Sequence, residues 1–108
     1  MKLSDVLHRD AVISDFTADS KKKVLEFFSQ KASLLVPSLT AENVYEVLQA
    51  REQLGSTAVG HGVAIPHGKL LGIPEMLVLF GRSQSGVDFG AHDNKPSHLF
   101  FILLAPFK

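Results

Sequence analysis

The sequence predicts a single α/β domain, residues 1–108, in which helices cover a central sheet. Two helical patterns occupy the first half of the chain, and several short strand-like runs follow from Gly55 onward. A length of 108 residues suits one hydrophobic core and leaves no room for a second. The composition, 45% apolar with 20% charged residues, is that of a chain that folds.

The leading segment, residues 1–13, is predicted to begin with a short capped turn and to carry no functional site. Ser4 and Asp5 precede Val6 and Leu7, and an apolar run follows at residues 11–13.

Two helices are predicted from their caps and their periodicity. Asp19 or Ser20 can cap the first helix, which Pro37 ends, and Thr40 can cap the second, with Arg51 in its last turn. The expected inward-facing residues are Val24, Leu25, Phe28, Ala32 and Leu35 in the first helix and Val44, Val47, Leu48 and Leu54 in the second. The residues of the second helix expected to face water are Glu42, Glu46, Gln49 and Glu52.

The second half is predicted to consist of loops and strands. Four glycines break any helix over residues 55–68, where 63–65 is the expected strand. A second strand is expected over 76–80. Residues 83–86 are predicted to form a turn that leads to Val87 and Phe89. The run 99–104 is apolar at every residue, as expected of a strand covered on both faces.

Composition disfavours several function classes. Eleven basic residues balance eleven acidic ones, so nothing indicates a nucleic-acid-binding surface. The absence of cysteine rules out disulfides, thiol catalysis and cysteine zinc sites. Without a long apolar run or a signal-peptide pattern, the chain is expected to be cytoplasmic and not embedded in a membrane.

Four familiar site patterns fail on inspection. Gly55 and Gly60 have Walker A spacing, but His61 and Gly62 stand where Lys and Ser or Thr are needed, and a dinucleotide-binding glycine pattern is also incomplete. Ser83 lacks the glycine and context of a nucleophile elbow. The pairs His61/His67 and His92/His98 are each six residues apart and do not form the i, i+4 helical pair typical of zinc sites, so zinc is disfavoured.

A histidine that acts alone as a nucleophile remains. His67 lies between Pro66 and Gly68, where the glycine would let a substrate approach the backbone. A free imidazole is mostly neutral at cellular pH, so one nitrogen can attack phosphorus while the other is held by a hydrogen bond. The hydroxyls of Ser56 and Thr57 and the guanidinium of Arg51 could bind the phosphoryl group. The residues alone leave open whether His67 is instead structural.

A long motif then points to a family. The stretch Arg-Glu-Gln-Leu-Gly-Ser-Thr at 51–57, followed by Gly-x-Gly-Val-Ala-Ile-Pro-His-Gly-Lys-Leu at 60–70, closely resembles the phosphorylation site of the fructose/mannitol-type phosphotransferase-system enzyme IIA. The residue sequence of this motif is most similar to that of the nitrogen-regulatory branch of the family. The leading Met-Lys-Leu-Ser-Asp-Val-Leu and the run 99–106 extend the resemblance over nearly the whole chain.

The resemblance implies a mixed central sheet of the mannitol-type fold and a phosphocarrier activity. His67 would accept a phosphoryl group from an HPr-like carrier protein with Arg51 as the active-site arginine, and no metal, nucleotide or other cofactor would be required. From their chemistry, Ser56, Thr57 and Gly68 are expected to bind phosphate, and His61 is either a modulator of the site or a surface residue. The phosphoryl group would serve regulation of target proteins, or pass to a IIB domain in sugar transport; a non-catalytic binding module of the same fold is a further alternative.

The family pattern also sets expectations for the rest of the chain. It continues past Lys108 into further helices and a second active-site histidine, which neither His92 nor His98 matches, so the domain is expected to be incomplete at its C-terminus. An exposed apolar patch is then expected around Phe100, Ile102 and Phe107, giving a homo-oligomer or a monomer that unfolds with low cooperativity. Residues expected to dock a partner near His67 are Val59 and either Leu70 or Leu71.

Overall fold

The computed structural model describes residues 7–13 and 15–107, which form two helices and six strands. In chain order these are β1 (Leu7–Ile13), α1 (Lys21–Leu35), α2 (Ala41–Gln53), β2 (Ala58–Gly60), β3 (Val63–Ala64), β4 (His67–Leu70), β5 (Leu77–Val87) and β6 (Ser97–Pro106). The capped turn predicted at Ser4 and Asp5 lies outside the described residues.

The strands form one mixed sheet, as the resemblance implied. Its order is β1-β5-β6-β3-β2, and β4 also pairs with β6, farther along that strand than β3 does. The pairs β5–β6 and β2–β3 are antiparallel, whereas β1–β5, β3–β6 and β4–β6 are parallel. The central strand β6 therefore holds β3 and β4 in line along one of its edges.

Both predicted helices are confirmed, with the caps that the sequence indicated. The Ser20 hydroxyl accepts a hydrogen bond from Lys23 N at 3.2 Å, and the Thr40 hydroxyl accepts one from Asn43 N at 3.2 Å. These bonds satisfy backbone donors that a helix leaves unpaired in its first turn. None of the helices described in residues 7–13 and 15–107 is long and apolar enough to cross a bilayer.

Two assignments on α2 were wrong, and both errors concern its last turn. Leu54 was expected to face the core but is 85% exposed, because the helix ends at Gln53 and Leu54 is its C-cap. Glu52 was expected to face water but is only 8% exposed. Helical spacing explains the burial, since Val44, Leu48 and Glu52 are four residues apart and lie on one face.

The strands differ from prediction in three places. Residues 7–13, for which no strand was predicted, form β1, which pairs parallel to β5. The expected strand 63–65 is β3, with β2 and β4 as further short strands on either side of it in sequence. Residues 83–86 belong to β5, in which the Ser83 hydroxyl accepts a hydrogen bond from Gly86 N at 3.2 Å and the pairing with β6 shifts register. The hydrogen bond between Gly86 and Ser83 is typical of a turn, but here it lies inside β5, where the pairing with β6 shifts register.

Within the described residues, both helices pack on the same face of the sheet. A β-carbon at Gly81 would overlap the Phe28 ring of α1, and a β-carbon at Gly68 would overlap Val47 Cγ1 of α2. Gly81 pairs with Phe100 and Gly68 pairs with Leu104, and these two residues of β6 lie on the same face. Phe100 and Ile102 are fully buried on this face, so the predicted exposed patch around them was wrong. Phe107 is 59% exposed, as expected.

The opposite face of the sheet carries a second set of apolar side chains. Phe80 of β5 and Phe101 of β6 pair across the strands with their rings 4.9 Å apart, and both are partly exposed, as are Leu99 and Leu103. Side chains alternate between the faces of a strand, so the apolar run of β6 supplies both faces. Among the described residues only one of them is closed by α1 and α2, so apolar side chains are exposed as expected, but on the face of Phe80 and Phe101 rather than around Phe100 and Ile102.

Candidate functional site

His67 begins β4 and is turned away from the helices. Its register partner on β6 is Leu103, a residue of the partly exposed face, whereas the next residue, Gly68, pairs with Leu104 of the buried face. Because residues paired across a sheet share a face, the His67 ring lies on the open side. Its side chain is exposed, so a protein or small molecule can reach it.

One hydrogen bond determines which nitrogen of His67 is free. Nδ1 lies 2.8 Å from the carbonyl oxygen of Ile65. A carbonyl oxygen only accepts, so in the neutral ring this contact assigns the proton to Nδ1 and leaves the lone pair on Nε2. The geometry therefore orients the imidazole so that, in the neutral ring, Nε2 carries the lone pair.

An open cavity of about 360 Å³ adjoins the ring. It brings together four of the residues predicted for the site, and three apolar side chains complete its wall. The lining residues are Arg51, Ser56, Thr57, Val59, Ile65, His67 and Leu103. Val59 is 53% exposed, as expected of a docking residue, whereas Leu70 is buried and the exposed Leu71 does not line this cavity.

Arg51 reaches the cavity from the last turn of α2. Its Nη1 donates to the Gly55 carbonyl oxygen at 2.9 Å, which holds the side chain across the turn that follows the helix. A guanidinium carries five N–H donors in a planar fork, so this bond leaves others for an anion in the cavity.

The hydroxyl groups of Ser56 and Thr57 are engaged within the protein. Ser56 Oγ donates to the Phe89 carbonyl at 2.5 Å and accepts from Ala58 N at 3.1 Å, and Thr57 Oγ1 donates to Glu52 Oε2. A hydroxyl has one proton to donate, so neither group can also donate to a phosphate in this arrangement. These bonds indicate that the two side chains shape the loop, and their predicted contact with phosphate stays a prediction.

The structure gives a steric reason for glycine at position 68, which differs from the reason that the sequence suggested. A β-carbon at this position would overlap Val47 Cγ1 of α2, and Gly68 does not line the cavity. The missing side chain lets the strand and the helix approach each other. Close packing is sufficient to require this glycine, and its predicted contact with phosphate stays a prediction.

His61, His92 and His98 lie outside the cavity lining. His61 occupies the β2–β3 turn with a φ of 56°, and its backbone N–H donates to Asp93 Oδ2 at 3.0 Å. This bond, together with one from Lys95 N, holds the pKa of Asp93 below its usual value. His98 Nδ1 lies 2.9 Å from the Ser83 carbonyl. Among the described residues, no three His, Asp or Glu side chains are grouped so that they could hold a metal ion.

The residue that sequence reasoning missed is Glu52. Its carboxylate contacts Thr57 directly behind the cavity wall. Its charge suggested a solvated side chain, but its spacing from Val44 and Leu48 would have placed it on the buried face.

Comparison with known proteins relates this geometry to a family. The model of a family described as "Phosphoenolpyruvate-dependent sugar phosphotransferase system, EIIA 2" matches residues 5–108. The chain is 42% identical over 109 residues to a nitrogen regulatory protein of Bradyrhizobium diazoefficiens, covering 98% of this chain and 69% of that protein. It is 40% identical over 107 residues to that of Escherichia coli K12, covering 98% and 65%.

A third relative is a longer protein of which the match covers a small part. The fructose-specific EIIABC component of Bacillus subtilis is 31% identical over 108 residues, which are 97% of this chain and 16% of that one. The chain spans 65–69% of the length of the two nitrogen regulatory proteins above.

Solved structures agree with the fold. The nitrogen regulatory protein IIA-Ntr from Neisseria meningitidis superposes with a TM-score of 0.92 at 39% identity, over 98% of this chain and 72% of that one. The mannitol enzyme IIA of Escherichia coli, solved in a complex with phosphorylated enzyme IIB, gives 0.77 at 20% identity over 92% and 69%, a likeness of fold alone.

Proposed function

The chain belongs to the EIIA 2 family of the phosphoenolpyruvate-dependent sugar phosphotransferase system, and from this premise we propose that it carries a phosphoryl group on Nε2 of His67. The observation that carries the proposal is the bond between His67 Nδ1 and the Ile65 carbonyl, which leaves Nε2 as the free nucleophile beside Arg51. The donor is an HPr-like protein that presents a phosphohistidine.

The transfer step needs positioning and charge stabilisation more than proton transfer. The Nε2 lone pair of His67 forms a bond to phosphorus while the bond from phosphorus to the donor imidazole nitrogen breaks, and the donor ring keeps that electron pair. The proton on Nδ1 stays in its bond to Ile65, so the phosphorylated ring is a cation held by a carbonyl. Arg51 opposes the negative charge of the phosphoryl oxygens in the transition state.

The surface around His67 suits a protein donor. The ring is exposed, and Val59, Ile65 and Leu103 form an apolar margin on the same side. A shallow apolar surface of this kind can dock a carrier protein and exclude water around the reacting phosphoryl group.

Two hypotheses describe what happens to the phosphoryl group after His67 has accepted it. Identities of 40% and 42% to nitrogen regulatory proteins, against 31% to a fructose-specific component, favour regulation through the phosphorylation state. The structural neighbour solved with phosphorylated enzyme IIB favours onward transfer to a IIB domain as the second candidate.

Phosphorylation by purified components tests the acceptor. Incubation with phosphoenolpyruvate, enzyme I and an HPr-like carrier should add one acid-labile phosphate to the chain, and NMR should locate it on Nε2 of His67. The label should be absent from His67→Ala and present in His92→Ala and His98→Ala. Label that survives His67→Ala would overturn the assignment, and an unlabelled wild-type chain would favour a non-catalytic module.

A second incubation separates regulation from transport. The labelled chain is mixed with a purified IIB domain and the label on each protein is followed. Rapid loss of label to the IIB domain would support the transport hypothesis, whereas label retained on His67 would support regulation.

A further inference from the structure

A buried carboxylate lies directly behind the proposed phosphoryl site. Glu52 Oε1 accepts hydrogen bonds from Lys21 Nζ at 3.0 Å and from the Thr57 backbone N–H at 3.1 Å. Its other oxygen, Oε2, accepts the bond from the Thr57 hydroxyl. Three donors from two distant parts of the chain thus converge on one carboxylate, and a carboxylate with both oxygens accepting can satisfy all of them.

A continuous series of hydrogen bonds runs from this carboxylate to the His67 ring. Glu52 holds the Thr57 N–H, the Thr57 carbonyl accepts from Ile65 N at 3.0 Å, and the Ile65 carbonyl accepts from His67 Nδ1 at 2.8 Å. The bond to His67 is the one that selects its tautomer, so the orientation of the Ile65 peptide governs which ring nitrogen is free.

The same segment also sets the position of Arg51. The Glu52 carbonyl accepts from Gly55 N at 3.1 Å, and the Gly55 carbonyl accepts from Arg51 Nη1. The turn that links Glu52 to Thr57 therefore carries the arginine contact. Both functional side chains depend on a segment whose far end is fastened by the Glu52 carboxylate.

Lys21, whose ammonium group pairs with Glu52, also contacts Phe89. Lys21 Nζ lies 4.7 Å from the centroid of the Phe89 ring, and the Phe89 carbonyl accepts the Ser56 hydroxyl bond. The start of α1 is thereby connected to the Ser56–Thr57 loop through Glu52 and Phe89. Burying an ion pair gives little net stability compared with an apolar pair of similar size, so fixing a geometry is the better reason for this one.

We propose that Glu52 is a positioning residue for phosphoryl transfer, which fixes the Nδ1–H tautomer of His67 and the place of Arg51 through Thr57 and Ile65. The inference rests on the proposed function of His67. One part of it, the preference of the His67 ring for the Nδ1–H tautomer, can be measured without any phosphoryl donor. Glu52 acts through its neighbours and does not touch the phosphoryl group.

The principal test compares Glu52→Gln with Glu46→Gln, an exposed glutamate on the same helix that serves as the matched control. In Glu52→Gln one carboxylate oxygen becomes an amide NH₂, which cannot accept, so the bond that the Thr57 hydroxyl donates is lost in its present direction and the negative charge opposite Lys21 is removed. ¹⁵N NMR of the neutral His67 ring should show a loss of the Nδ1–H preference in Glu52→Gln and none in Glu46→Gln. The transfer rate at saturating phosphocarrier should fall about tenfold or more, with the half-saturating carrier concentration unchanged.

Thr57 variants keep the proposal testable if Glu52→Gln does not fold. Thr57→Val removes only the hydroxyl bond, and Thr57→Ser restores it, so the saturated rate should fall in the first variant and recover in the second. A wild-type tautomer and saturated rate in folded Glu52→Gln would overturn the proposal, as would wild-type behaviour of Thr57→Val where Glu52→Gln cannot be prepared. If the wild-type chain accepts no phosphate, the proposed function fails, while a shifted His67 tautomer in Glu52→Gln would still support the positioning role.

Discussion

At the scale of single residues, the site depends on the alternation of side chains along β4. His67 and Gly68 are adjacent, yet the first faces the open side of the sheet and the second faces α2. One residue can thus be exposed for chemistry while its neighbour allows the helix to pack closely. Under the proposed function, the motif that contains both residues would serve reaction and packing together.

Arg51 is expected to act on the phosphoryl group more than on stability. Arg51→Ala should slow transfer from the carrier about a hundredfold, because it removes positive charge from the transition state. The free energy of unfolding should fall by only about 1 kcal/mol, for the lost bond to the Gly55 carbonyl. Rapid-quench measurement of phosphorylation and urea unfolding check the two effects.

Two variants control this experiment. Arg51→Lys should recover part of the rate, since lysine keeps the charge but not the planar fork. Arg82→Ala, at an exposed arginine of β5, should transfer at the wild-type rate. Equal rates for the wild-type chain, Arg51→Lys and Arg51→Ala would confine Arg51 to a structural role at the end of α2.

At the scale of elements, the contact between β4 and α2 places the site beside Arg51. Arg51 lies in the last turn of α2, and His67 begins β4. The helix can approach the strand closely because Gly68 leaves space for Val47. Small changes at this contact should therefore alter stability through a single steric clash.

Gly68→Ala should lower the free energy of unfolding by about 1–3 kcal/mol, because the added methyl group overlaps Val47 Cγ1. In the double variant with Val47→Ala the clash is relieved, so the two changes should be strongly non-additive. Urea unfolding of the two single variants and the double variant measures this coupling. Additive effects would mean that the methyl group is accommodated in another way.

At the scale of the whole molecule, the two faces of the sheet differ in cover. The helices close the face that contains Phe100 and Ile102, whereas Phe80, Phe101 and Leu103 remain partly exposed on the other. His67, the proposed phosphoryl acceptor, lies on this second face, so the apolar surface extends up to the proposed site.

We expect this face to mediate self-association that depends on concentration, because exposed apolar side chains are removed from water when two copies meet. Phe101→Lys should shift the chain toward the monomer in sedimentation experiments. Leu34→Lys, at an exposed leucine of α1, should leave the association unchanged. A wild-type chain that stays monomeric at all concentrations would contradict this expectation.

The sequence by itself determined the features that depend on local chemistry. The caps at Ser20 and Thr40 and the periodicity of both helices act within a few residues, so they could be read from the chain. The same holds for the grouping of Arg51 and His67 as site residues, which a contiguous motif encoded and the cavity brings together.

Only the tertiary structure decided the features that depend on distant partners. The carboxylate of Glu52 is satisfied on the buried face because Lys21 and Thr57 supply donors to it, and Gly68 is small because a helix residue 21 positions earlier presses against it. The strand at 7–13 forms because β5 lies alongside it, and β6 has one closed face because both helices pack there. Burial and pairing are set by contacts far apart in sequence, and local patterns do not contain those contacts.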